Sequence, residues 1–298
     1  MPNISVAVAV VLGIATILAI VAFINHSAHA MDVSEILQRI RRDTTEQIRA
    51  EWSLSKPDEI SADVIPPMPA EPTTVIRAGR SGWVQQIDTD ALLACLPDGC
   101  TAHVETYAGR YAIEQGRLIT ISPALDITEV EGKLRAAFVI GETRTMQQDV
   151  TYGLRQLVDV TVKALSPGIN DPTTAQDAIF HTAAVLSELL RHTPPPAVLV
   201  DGSRRLVMTQ RPSHTELIQI AYDEPRRAGA TQPAVCLYLL ATIESLIETL
   251  HSAQLGPRAT ELHRQARLVA AGCGNADVLS EDVELVRTAY QQKFGAIR

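Results

Sequence analysis

The chain of 298 residues lacks most of the signatures that announce an activity. It holds no G-x-S-x-G elbow, no Walker-type phosphate loop, no H-E-x-x-H and no G-x-G-x-x-G. These absences remove the commonest marks of serine hydrolases, P-loop NTPases, zinc proteases and dinucleotide enzymes. A basic excess is missing too. The 26 Lys and Arg face 34 Asp and Glu, a formal net charge of −8, which excludes the basic footprint of a nucleic-acid binder. Cysteine is scarce: Cys95, Cys100, Cys236 and Cys273, none in a C-x-x-C. Cys95, Cys100 and His103 make a loose C-x4-C-x2-H without a second ligand pair, so no metal and no cofactor is expected. Four scattered thiols fit structural cysteines in a reducing compartment.

No charge interrupts residues 4–24, ISVAVAVVLGIATILAIVAFI, of which 13 are Leu, Ile, Val or Phe. A helix of that length rises about 31 Å, the thickness of a hydrocarbon core. The large apolar residues favour insertion by about 4–8 kcal/mol. Ala28-His29-Ala30 has the form of a signal-peptidase site. The run is longer than a signal peptide's apolar region and no Lys or Arg precedes it, so a retained transmembrane anchor is expected over residues 1–30. The first basic residues, Arg39, Arg41, Arg42 and Arg49, follow the span. The positive-inside rule therefore expects the C-terminal bulk in the cytoplasm.

Residues 31–54 carry a helical stripe of Val33, Ile36, Leu37, Ile40 and Thr44, read as a juxtamembrane stalk. Residues 55–73 hold five prolines and read as a semi-rigid linker. Over 74–122 the period changes. TTVIRAG, GWVQQID, TAHVETYA, YAIEQG and RLITIS are short β-type runs punctuated by glycine, a small β-rich module that would be a scaffold or a contact for a homo-oligomer. Residues 123–298 are expected to be helical, with long helices over 144–165 and 172–191 and a hairpin turning at Asp201-Gly202 in AVLVDGSRRLVMTQ. The fold class is α+β, mostly helical: one transmembrane helix, the β-rich module, then the helical domain.

Between the two long helices lies ALSPGINDPTTA, residues 164–175, the most irregular and polar dozen in the chain. Pro167 and Gly168 end one helix; Asp171 caps the next, with Pro172 at its first position. Ser166, Asn170, Asp171 and Thr174 thus surround a helix start whose amides favour an anion. Upstream, helical spacing puts Gln148, Tyr152, Arg155 and Asp159 on one face, with Arg155 and Asp159 as an i,i+4 pair. Arg144, Asp149, Arg155, Asp159, Ser166, Asn170, Asp171 and Thr174 are the candidate residues for a small anionic ligand. Ordinary turn and capping chemistry accounts for the same residues without one.

The run RTMQQDVTYGLRQLVD followed by ALSPGINDPTTA resembles a bacterial family of membrane proteins catalogued as domain of unknown function 2254. The likeness extends through SGWVQQID and back to FINHSAHAMDV. Members typically carry several membrane spans and this chain reads as beginning at the last of them, so the resemblance implies either a shortened member or a true start that lies further upstream. It further implies a bacterial inner membrane and supplies no reaction. The expectation is a protein anchored in the lipid bilayer with a cytosolic binding or regulatory domain. The alternatives are a hydrolase using Asp149 or Asp159 as base and a subunit of a transport or channel assembly.

Overall fold

The structure, a computed structural model, describes residues 2–30, 32–54, 67, 73–250 and 255–295; the side chains of 2–5, 7, 22–30 and 255 lie outside that description. Most of the proline-rich segment 55–73 and His251 also lie outside it.

Helix α1 (Pro2–Ala30) is a continuous backbone helix of 29 residues. Ten of its large apolar side chains, from Val6 to Val21, are 52–65 % exposed, so no part of the body covers them. Among the described residues, no helix is long and apolar enough to cross a membrane. The chain then breaks at Asp32, whose carboxylate accepts from Ser34 N at 3.0 Å and caps α2 (Val33–Glu51). The segment read as a juxtamembrane stalk is a helix packed against the later helices Val150–Ala164 and Pro172–Arg191. Leu37, Thr44 and Ile48 of α2 are buried, because the stripe continues one further turn to Ile48 and packs against those two helices.

The β-type runs form the expected strands. β1 (Ser53–Leu54) reaches across to β8 (His192–Thr193). β2 (Thr74–Arg77), β3 (Gly82–Ile87), β4 (Thr101–Val104), β5 (Tyr111–Ala112) and β6 (Arg117–Ser122) follow, with a short helix α3 (Thr89–Cys95) that the sequence reading missed. After α4 (Glu131–Ala136) comes β7 (Phe138–Gly141), which pairs antiparallel with β3. The hairpin of β9 (Val198–Asp201) and β10 (Arg204–Met208) turns at Gly202, φ +58°. β10 lies parallel to β4 from Arg205–Thr101 to Met208–Val104. The five-stranded sheet β2-β6-β4-β10-β9 therefore draws strands from both sides of residue 122. Its core is built from Ile76, Leu118, Ile119 and Ile121 together with Leu206 and Met208.

The helical layer contains α5 (Val150–Ala164), α6 (Pro172–Arg191), α7 (His214–Ala228), α8 (Pro233–Thr249), α9 (Leu255–Gly274) and α10 (Ser280–Phe294). Leu154, Leu157, Val185, Leu186, Leu189 and Leu240 fill one continuous core there. α5 and α6, joined by a short corner, form an antiparallel hairpin. α2 lies parallel to α6: Ser34 Oγ donates to Asp177 at 3.2 Å near one end, and Arg49 meets Glu188 at 2.7 Å near the other. The helical body thus has a corner end and a sheet end. Gly153 of α5 permits close contact with α2; a Cβ there would sit 1.8 Å from Thr44 Oγ1.

Candidate functional site

Six of the eight candidate residues fall into two groups at opposite ends of α5, about 22 Å apart for fifteen helical residues, and Arg155 and Asp159 lie on the helix between them. At the sheet end, α5 begins at Val150, six residues later than the periodicity suggested. The physical reason is that Gln148, at φ +59°, turns away from helix. Its amide mimics a neighbouring strand, accepting from Ile87 N at 2.9 Å and donating to Ile87 O at 3.3 Å.

Asp149 caps α5 and is 3 % exposed. It accepts from Arg144 Nε at 2.6 Å, from Thr151 Oγ1 at 2.6 Å and from Tyr152 N at 3.2 Å. Arg144 also donates to Thr151 Oγ1 at 2.9 Å. Its guanidinium lies over Trp83 at 5.5 Å and over Tyr152 at 5.1 Å, a favourable place for a partly dehydrated cation. Gly109, at φ +93°, lets the loop after β4 approach; a Cβ there would fall 2.0 Å from Asp149 Oδ2. Every donor aimed at Asp149 comes from its own neighbourhood. This cluster suits a joint between sheet and helix, with Asp149 held by three donors from its own neighbourhood.

The corner end is also self-satisfied. Asp171 N donates to Ala164 O at 2.8 Å, Ile169 N and Asn170 N both reach Ser166 O, and Ser166 Oγ donates to Lys163 O at 2.6 Å. Asn170, at φ +49°, accepts from Gln232 at 3.0 Å. Asp171 takes Thr173 N and Thr174 N, each at 3.1 Å, and Thr174 Oγ1 at 2.5 Å. Those hydroxyl and amide donors, the Thr174 hydroxyl first, hold its carboxyl below the usual range. The amides expected to attract an anion are thus already occupied by Asp171.

Of the remaining candidates, Asp159 is exposed on α5. Arg155 does not pair with it. It reaches Glu224 of α7 at 3.8 Å, because the i,i+4 neighbour competes with an acid on the facing helix.

Two adjoining hollows open at the sheet end, and sequence reading missed most of their lining. The smaller, about 330 Å³, is mainly apolar: Trp52, Val150, Leu199, Met208 and the prolines 194–196, with Asp149 and Glu51 at its wall. Burial pushes the Glu51 carboxyl up, and Gln47 donates to it at 2.5 Å. The larger, about 650 Å³, is polar and includes Arg110, Arg155 and Arg227 with Glu216, Asp223 and Glu224. Tyr107, Arg211 and Pro212 line both. Arg227 meets Asp223 at 3.8 Å, as loosely as Arg155 meets Glu224. Arg110 is exposed and has no ion pair among the described residues. The signal available in advance was the glycine in YAGRY, which places Tyr107 and Arg110 on a tight turn.

All four cysteines are free thiols. Among the described residues, no three of His, Cys, Asp and Glu are grouped to hold a metal ion.

A mostly helical α+β body behind an apolar helix is the class that the fold and site define. The chain belongs to the family described as "Predicted membrane protein (DUF2254)", whose model matches residues 1–245. An uncharacterized protein of Mycobacterium bovis is 27 % identical over 254 residues, covering 83 % of this chain and 49 % of that protein. Two uncharacterized proteins of Mycobacterium tuberculosis match to the same extent. The chain spans about half the length of the curated relatives it matches. No solved structure matches it.

Proposed function

We propose that this protein is held in the bacterial inner membrane by α1, with the body in the cytoplasm as a binding module for a small anion that carries an apolar portion. The observation that carries the reading is the pair of adjoining hollows. One is lined by Trp52, Val150, Leu199 and Met208, and the other by Arg110, Arg155 and Arg227. A ligand would seat its apolar portion in the first and its charge in the second, displacing the long contacts of Arg155 and Arg227 to their acids. The membrane family, the exposed apolar side chains of α1 and the arginines that follow the span support the anchor and its orientation. Of the eight candidate residues, Arg155 and Asp149 line this site.

The test uses the full chain in nanodiscs. Phenyl phosphate should raise the melting temperature, with about 2.7 kcal/mol of stabilisation at one hundred times its dissociation constant. Inorganic phosphate, which leaves the apolar hollow empty, should act more weakly. The double change Arg110→Ala and Arg155→Ala should abolish both shifts. No shift with either anion would remove the reading.

A further inference from the structure

The corner that carries the family resemblance holds its polar atoms inward and points an isoleucine outward. Ile169 is 62 % exposed. It is fixed on a tight turn by the bonds of Ile169 N, Asn170 N and Asp171 N, and the turn is tied to α8 through Gln232. A single exposed isoleucine is ordinary on a protein surface, so what distinguishes Ile169 is where the fold places it.

Its position follows from the helix pairing. α2 and α6 run parallel, with Ser34 beside Asp177 and Arg49 beside Glu188. Five residues separate Asp177 from Pro172, about 7 Å of helix, in the direction of α1. Four residues separate Ser34 from Ala30, where α1 ends. The corner therefore lies level with the end of α1. The apolar run of the sequence stops at Ile24. The six residues to Ala30 rise about 9 Å, close to the depth of one headgroup layer. Val33, also exposed, begins α2 on this same end.

We propose that the SPGINDP corner is a membrane-interface contact: Ile169, flanked by Pro167 and Gly168, enters the headgroup region beside α1 while the exposed Lys163 faces lipid phosphate. Within the corner itself the charge suits this partner, while Asp32 and Glu35 stand exposed at the start of α2 on the same end. Between residues 163 and 170 Lys163 is the only charged side chain, and the Asp171 carboxylate that follows is turned toward its own helix. The proposal rests on the reading of α1 as a membrane anchor, and the partner is the bilayer itself.

The experiment uses the full chain in liposomes of phosphatidylcholine with one fifth anionic lipid. The half-exposed Cys95 is replaced by serine, and the fluorophore NBD is placed in turn at Ile14→Cys, Ile169→Cys and Val200→Cys. Ile169 and Val200 are both exposed and lie at opposite ends of α6, so labelling leaves the core intact. A mid-chain doxyl lipid should quench Ile14. A headgroup spin-labelled lipid should quench Ile169 and shift its emission to the blue, while Val200 responds to neither. If Ile14 is quenched and Ile169 behaves like Val200, the corner contact is wrong and the anchor stands. If Ile14 is not quenched by lipid, the anchor and the contact fall together.

Discussion

Asp149 and Asp171 do the same job at opposite ends of one helical hairpin. Each caps a helix with its carboxylate, and each sits in the part of the sequence that reads as most functional. Asp149 is enclosed, ion-paired to Arg144 and roofed by Gly109. Asp171 is at the surface and answers only to Thr173 and Thr174 of its own turn. The contrast teaches that a polar motif acquires its energetic weight from what surrounds it. At the sheet end the cap joins two cores. At the corner it only shapes a loop.

The largest expected effect tests that claim directly. Asp149→Ala should destabilise by about 3–5 kcal/mol in chemical unfolding, since it strands a partly buried guanidinium as well as a helix start. A loss no greater than that of Asp171→Ala would erase the distinction between the ends.

The sheet end should also be the acid-sensitive one. His214 there bonds the carbonyls of Leu189 at 3.2 Å and His192 at 3.0 Å. Burial, reinforced by Arg258, lowers its pKa from 6.5 to about 4. A neutral histidine held below its unfolded value stabilises the fold above pH 6.5, and that contribution drains away as pH falls toward 4. The loss should reach about 3 kcal/mol over this interval. His214→Gln, which keeps a donor but cannot titrate, should flatten that slope in unfolding curves recorded across the range.

Midway along the hairpin, Gly153→Ala should lower stability by about 1–3 kcal/mol through overpacking against Thr44. Adding Thr44→Ala should recover part of it. An unchanged melting temperature for Gly153→Ala would mean that α2 is not seated on α5.

The smallest effect belongs to Asp171→Ala. Its carboxylate contributes only while ionised, so the deficit relative to wild type should be present above the ordinary carboxylate pKa of 3.8 and fade as pH drops through the lowered value. A deficit that persists in acid would assign the cap to something other than the charge.

Much of the local structure could be read in advance. Pro172 to Arg191 is the helix that the capping residues and periodicity indicated, and the Asp201-Gly202 hairpin turns where expected. Residues 144–149 were misread because helical spacing is blind to Gln148 pairing with a strand sixty residues away. The corner was given the wrong chemistry for a related reason. Sequence shows free amides at a helix start, but the side chain that occupies them is Asp171 itself. The hollows went unseen because Trp52, Tyr107, Arg155 and Pro212 belong to four separate segments.

The sequence by itself determined the apolar leader, the absence of familiar catalytic signatures, the helix caps and most of the strands, since each depends on neighbours within a few positions. Tertiary structure alone decided that β10 completes the sheet of β4, that α2 is part of the core, and that one polar motif divides into a buried joint and an exposed tip. Those outcomes depend on long-range pairing and on which side chains lose water, and neither is encoded in local spacing.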